Sequence, residues 1–177
     1  RVLFRSISAY KNAGVEIIST GVNKISGDIA ADRLLFEFAK AAGSKVMSVN
    51  FSLATIDKEL KSAEALAEEY NMKLGIHNHG GYHWLGQAEA LGWVFSKSSP
   101  RIGLTLDTAW AIDAKQSPQK LVEEFASRLV NIHFKDFTYN PDRTHNDVPV
   151  GTGILNLKEF LATLEKVGYN GIGVLEY

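Results

Sequence analysis

The 177-residue chain contains no cysteine, which excludes a disulfide framework, a thiolate metal site and a cysteine nucleophile. Proline is scarce, at 4 residues, and aromatics stand at 10%, a composition unlike that of a disordered chain. No run approaches the roughly 20 apolar residues that a membrane span requires, and no signal-peptide pattern opens the chain. Charge of one sign is also missing: 19 Lys+Arg stand against 20 Asp+Glu, for a formal net charge of -1. That balance argues against blanket phosphate neutralisation, so no nucleic-acid partner is expected, although a local basic patch is compatible with it. Zero cysteine suits a cytoplasmic protein and does not oppose a periplasmic one. What is present is 45% hydrophobic residues, enough for one ordinary globular core.

Short β-branched runs alternate with amphipathic stretches, the pattern of βα units around a parallel sheet. The pattern predicts strands over Val15–Thr20, Lys45–Phe51, Lys73–His79, Ile102–Asp107, Leu129–Phe134 and Gly171–Glu176. Helices are predicted over Ala30–Ala42, Ile56–Tyr70, Gln87–Lys97, Pro118–Ser127 and Leu157–Val167. Gly43, Asn71 and Gly168 fall just past helical patterns, and Pro118 falls where a first helical turn tolerates it. Strand starts recur every 25 to 40 residues or about that, which is βα spacing and not a short-period solenoid. No linker or low-complexity tract interrupts the rhythm, so 1–177 reads as a single domain.

Six strands fall short of the eight in a (β/α)8 TIM barrel, which usually needs about 250 residues. The chain opens at Arg1-Val2-Leu3-Phe4 without Met and stops on Tyr177 at a strand end. A complete doubly wound sheet is the alternative, but no strand is followed by a GxGxxG or GxxxxGK[ST] loop. The expectation is therefore α/β: a TIM barrel truncated to about strands three to eight, lacking its first two βα units.

Strand periodicity carries the functional reading, because alternate side chains face opposite sides. Leu74 and Ile76 oppose Gly75, His77 and His79; Ile102, Leu104 and Leu106 oppose Gly103, Thr105 and Asp107. Val130, Ile132 and Phe134 oppose Asn131, His133 and Lys135, and Ser48 and Asn50 share one face of their strand. His77, His79, Asp107, His133, Lys135 and Glu176 all come late in their strands, at the end where barrels place active sites. Two or three imidazoles with an Asp and a Glu form an N/O donor set suited to Mn, Co, Fe, Zn or Mg. A cation would also offset the burial of Asp107 beside Glu176. Each residue has a plainer reading: His79 and His83 touching their own loop, Asp107 capping a helix or turn, Glu176 facing solvent.

Weaker features surround this set. The polar stretch Thr138–Thr152 suits a substrate-covering lid or a solvated loop. Trp84, after Gly80-Gly81-Tyr82-His83, and Trp110 offer aromatic walls for a sugar ring, with core packing as the alternative. Gly151-Thr152-Gly153 has the form of a phosphate cradle, while Lys115, Lys120 and Lys158 read as solvated charges.

The order Leu74-Gly75-Ile76-His77-Asn78-His79, Gly103-Leu104-Thr105-Leu106-Asp107-Thr108, His133-Phe134-Lys135-Asp136, Gly151-Thr152-Gly153 and Gly168-Tyr169-Asn170-Gly171 through Leu175-Glu176-Tyr177 resembles the xylose isomerase-like TIM barrel family, from about residue 13 onward. That family includes sugar isomerases and epimerases, inosose dehydratase and, further off, endonuclease IV. The resemblance implies a divalent cation held by Glu, Asp, His and Glu at successive strand ends; the last three positions fall on Asp107, His133 and Glu176. The first departs, since His77 stands where epimerases carry Glu, and His-x-His-Gly is closer to inosose dehydratase-like members. Trp110 stands where many members have a His, and Arg143 where epimerases often carry a substrate-binding Arg.

These readings combine into an expected metal-dependent enzyme on a sugar or keto-sugar, abstracting a proton beside a carbonyl. His77, Asp107, His133 and Glu176 would hold the metal, and should then converge on one ion-sized point. Glu176 or Lys135 is the candidate base, with His79 orienting substrate and Asn50, Trp84, Trp110 and Arg143 contacting it. Isomerisation or epimerisation ranks first, dehydratase or lyase chemistry second. An endonuclease IV-like nuclease and a non-catalytic sugar-binding barrel are the rivals from other classes.

Overall fold

Asp28 and Gly43 bracket one of the βα units that the sequence rhythm predicts. The Asp28 side chain accepts hydrogen bonds from the N–H groups of Ala30 and Ala31, capping helix α2 (Ile29–Ala42); Gly43, at φ 90°, ends it in the left-handed conformation. The computed structural model describes residues 2–177. It divides into two compact units, the first taking in residues up to Ile76 together with Ser98–Gly103, the second His77–Lys97 and Leu104–Tyr177.

The first unit carries α1 (Val2–Asn12), β1 (Ser19–Lys24), α2, β2 (Val46–Asn50), α3 (Ile56–Glu69) and all but the last residue of β3 (Lys73–His77). β1, β2 and β3 pair side by side and parallel, with Ser19 opposite Val46 and Val46 opposite Lys73. Phe36, Met47, Val49, Leu66, Leu74 and Ile76 are fully buried and form its core. The first strand lies four residues beyond the predicted Val15–Thr20. Val15 and Ile18 are half-exposed, at 50% and 48%, so their apolar character marks no buried face. Helix α1 lies outside the expected elements, which begin at Val15. Buried Asp32 ties the β1–α2 loop to α3, accepting from the Ser26 and Gly27 N–H groups and from the hydroxyls of Ser26 and Ser62.

The second unit holds the end of β4 (Ile102–Asp107), with β5 (Leu129–Phe134) and β8 (Ile172–Leu175) beside it in that order and parallel. Its helices are α4 (Ala88–Ser96), α5 (Thr108–Asp113), α6 (Pro118–Glu124) and α7 (Leu157–Lys166). An antiparallel hairpin, β6 (Asp136–Tyr139) and β7 (His145–Val148), occupies much of the stretch expected as an open loop. Six parallel strands are present among the described residues. Both sets of side chains on β4 are buried, so the polar set Thr105 and Asp107 is held in the interior along with Asn131 of β5. No helix among the described residues is long and apolar enough to cross a membrane.

Candidate metal centre

Every residue of the expected ligand set belongs to the second unit, at or just past a strand end. Asn78, fully buried after β3, uses its amide as a substitute peptide. Nδ2 donates to the Asp107 carbonyl at 3.0 Å and Oδ1 accepts from the Asp107 N–H at 2.7 Å. That clamp fixes Asp107, whose Oδ1 caps α5 by accepting from the Trp110 N–H at 2.8 Å. The plainer capping role is thus real, but it uses only one oxygen. Asp107 Oδ2 is buried without a hydrogen-bond partner.

His133 stands opposite Asp107 in strand register. Its Nδ1 lies 3.2 Å from His77 Nε2 and 2.8 Å from Glu176 Oε2, and His77 Nε2 lies 3.7 Å from Asp107 Oδ2. One donor atom from each of His77, Asp107, His133 and Glu176 falls within 4.8 Å of the others. Ligands about 2.1 Å from a cation sit about 3.0 to 3.4 Å from one another in octahedral or tetrahedral arrangement. The separations here bracket that range, and the two-nitrogen, two-oxygen set suits Mn, Co, Fe or Zn. Together with the orphaned Asp107 oxygen, they fit a divalent cation.

The electrostatics of these residues point the same way. Burial drives the His77 imidazole down to about 3, with His133 and His79 adding to the effect. Burial likewise lifts the Asp107 carboxyl to about 8, against the pull of the Trp110 N–H. Glu176 goes the other way: the hydrogen bond from His133 holds it below the usual carboxylate range, burial opposing and Lys135 assisting. For Lys135, burial alone would lower the ammonium, but hydrogen bonds to Asp147 at 2.9 Å and Glu176 at 3.0 Å outweigh it, leaving the group raised.

The remaining expected residues scatter more. His79 Nδ1 lies 3.3 Å from His77 Nδ1 and 3.1 Å from the Asn78 carbonyl oxygen, and its ring meets His83 edge-on at 4.4 Å. Four imidazoles therefore run in a row: His83, His79, His77, His133. The fifth, His145, stacks on Phe137 at 4.0 Å instead. Trp84 and Arg143 line a cleft of about 840 Å³ with His83, Asp113, Lys115 and Tyr139. Trp110 packs edge-on against Phe137 and His145, at 4.9 and 5.1 Å. Asn50 belongs to the first unit, where its Oδ1 accepts from the Phe51 N–H.

Gly151-Thr152-Gly153 is no open phosphate cradle. The buried Asp136 carboxylate already accepts from the N–H groups of Gly151 and Gly153, at 3.0 and 2.9 Å, so an anion is built in. Two residues escape the sequence reading, and Lys115, read as a solvated charge, takes a different place. Asp147 reaches Lys135 from β7, Asp113 accepts from the Tyr139 hydroxyl at 2.8 Å, and Lys115 lines the cleft. Asp147 sits in a polar stretch with nothing to single it out, and no local pattern separates Lys115 from a solvated charge.

Known proteins extend the comparison. The chain is 29% identical over 142 residues to 3-oxo-isoapionate decarboxylase of Pectobacterium atrosepticum, covering 72% of this chain and 50% of that protein. It spans about half the length of the curated relatives it matches. Among solved structures it superposes on a D-tagatose 3-epimerase-like protein with a TM-score of 0.76 at 20% identity, covering 98% of this chain and 75% of that one. It superposes on the IOLI protein, solved with a zinc atom, with a TM-score of 0.77 at 15% identity, covering 99% and 72%. The family model described as xylose isomerase-like TIM barrel matches residues 33–177, and with that match over four strand ends that carry His77, Asp107, His133 and Glu176, the chain belongs to the xylose isomerase-like TIM barrel family.

Proposed function

We propose that this protein is a divalent-metal-dependent enzyme acting on a keto-sugar or a related oxidised sugar, moving a proton at the carbon beside a carbonyl. The observation that carries the reading is the convergence of four donors within 4.8 Å, one of them the orphaned Asp107 carboxylate. A cation bound there would polarise the substrate's carbonyl and neighbouring hydroxyl oxygens. Glu176 is the base. It is ionised at neutral pH, and its side chain keeps 36% exposure, whereas Asp107 is fully buried and committed to the α5 cap. Lys135, an ammonium held between Glu176 and Asp147, steadies negative charge on a substrate oxygen and returns a proton. His79 orients the substrate from beside His77, with Trp84 and Arg143 contacting its far end from the cleft.

Isomerisation or epimerisation returns the proton to carbon. A lyase reading shares the first electron shift but lets a leaving group depart, and one observation favours it as the second reading. With His77 at the first position, Glu176 is the one carboxylate of the four donors that is not fully buried, whereas proton exchange by carboxylates on opposite faces uses two. One relative is described as a decarboxylase, a reaction in which carbon dioxide leaves in place of the proton and the carbonyl accepts the electron pair, with no base required to start it.

The test is elemental analysis of the full-length protein, before and after His133→Ala. About one equivalent of Mn, Co, Zn or Fe, lost in the variant, is expected. The metal-replete protein should then incorporate solvent deuterium into a keto-sugar beside its carbonyl, or release water from it, or release carbon dioxide from a keto-sugar acid. Glu176→Gln should slow deuterium incorporation or water loss by about 100-fold or more. Absence of metal from both proteins would overturn the reading.

A further inference from the structure

The cleft next to the centre contains an arrangement that metal binding does not require. Three non-glycine residues among those described have positive φ: Asn71, Lys115 and Arg143. Asn71 is a residue type that tolerates the left-handed region. The other two are both cationic, and both line this cleft.

Each occupies a site where the backbone favours glycine. Lys115, at φ 62°, follows the end of α5. Its N–H bonds to the Ile112 carbonyl and that of Gln116 to Ala111, both at 2.9 Å, which is the Schellman pattern with lysine in the glycine position. Arg143, at φ 69°, closes the turn from Asn140 through Pro141 and Asp142, its N–H bonding to the Asn140 carbonyl at 2.9 Å. This is the left-handed bulge position of a hairpin. Two independent turns thus carry a long cation against local preference and bring both to one cavity. Strain of this kind concentrates where a side chain is needed.

Neither cation is ion-paired to a carboxylate among the described residues. Lys115 Nζ lies 5.8 Å from the Tyr139 ring centroid, and the nearby Asp113 accepts from the Tyr139 hydroxyl. The cleft therefore presents two cations against one carboxylate already engaged, with Trp84 as an apolar wall. His83 joins it to the centre through the row of rings, with centroid steps of 4.4 Å to His79 and 5.2 Å on to His77.

We infer that this cleft is an anion-binding subsite, in which Lys115 and Arg143 hold a carboxylate or phosphate group at the end of the substrate remote from its reacting carbon. The substrate class is then an acidic or phosphorylated sugar, not a neutral one. The inference rests on the proposed function only for where the reacting carbon lies; the subsite itself depends on Lys115 and Arg143.

Isothermal titration of the metal-replete, full-length protein with D-sorbitol, D-gluconate and D-sorbitol 6-phosphate tests it, since the three share a six-carbon chain and differ in charge. At least one anion should bind tenfold or more tighter than sorbitol. Preference for gluconate assigns a carboxylate and preference for the phosphate ester a phosphoryl group; either supports the subsite. Lys115→Gly and Arg143→Gly should each cut the preference several-fold, and together abolish it, with Tm unchanged or raised because glycine suits both turns. Lys115→Gln and Arg143→Gln, which keep side-chain bulk without charge, should lose the preference equally. Equal binding of all three probes, or a preference that survives in both double variants, would overturn the inference. Metal content read on the same samples keeps the two proposals apart. An anion preference without metal would leave the subsite standing and remove the proposed centre.

Discussion

Asp107 serves two masters at the level of a single side chain. One oxygen caps α5 and the other is buried without a hydrogen bond, a poor arrangement for a folded protein unless something positive arrives. The consequence for stability has a definite sign. Burial raises the folded carboxyl to about 8, against an ordinary unfolded value near 4. The contribution of Asp107 to stability is therefore full below about pH 4 and is lost as pH rises through 8. In the metal-chelated protein, Asp107→Asn keeps the cap and removes the charge. It should stabilise by about 3 to 5 kcal/mol at pH 9, and much less at pH 5. Thermal melts in EDTA at the two pH values measure this, and a variant that melts no higher than the parent at pH 9 would contradict it. The same variant should lose metal, so the charge that costs stability at high pH is the one the proposed centre would use. Much of this residue-level design is legible from alternation alone, because His77, Asp107 and His133 fall late on the polar faces of their strands. The partner of Lys135 is not: Asp147 becomes visible only when a hairpin brings it to within 2.9 Å.

Among the elements, those with strong periodicity and clear stop signals match the reading of the sequence: α2, α3 and α7 end within two residues of Gly43, Asn71 and Gly168. Short or partly exposed elements do not. Helix α5 spans only Thr108–Asp113, too short to show a periodic face, and β6 and β7 are four residues each in a polar stretch. What organises that stretch is again one buried carboxylate. Asp136 accepts from the N–H groups of Phe137, Gly151, Gly153 and Leu155, at 2.9 to 3.0 Å. An added Cβ at Gly153 would lie 2.3 Å from the Phe137 carbonyl oxygen, so the glycine allows close approach and is not there for a phosphate. Asp136→Asn turns one acceptor into a donor facing N–H groups. It should destabilise by about 3 kcal/mol, lowering Tm by about 6 to 12 °C. Chemical denaturation followed by tryptophan fluorescence checks this. A change below about 0.5 kcal/mol would mean that the loop is held by other contacts.

For the molecule as a whole, the distribution of the proposed ligands predicts where a cation's effect is felt. His77, Asp107, His133 and Glu176 all lie in the second unit, and none comes from the first. A ligand that binds the folded state alone stabilises by RT ln(1 + [L]/Kd), about 2.7 kcal/mol at a hundredfold excess over Kd, or roughly 5 to 10 °C in a chain of this size. The local signature should be sharper than the global one. Among the described residues, the backbone of Asp107 is clamped by Asn78, and the Glu176 N–H bonds to the Phe134 carbonyl, so fixing the four side chains also restrains the strand ends that carry them. Hydrogen exchange read by mass spectrometry, with and without Mn²⁺ or Zn²⁺, should show slowed exchange in peptides around His77–Gly80, Asp107–Trp110, Ile132–Asp136 and Val174–Tyr177. Peptides of β1, α2 and β2 should change little. His133→Ala should erase the difference. Protection spread evenly over both units would point to loose metal binding at surface carboxylates, because a cation held by these four residues acts through the strand ends on which they sit.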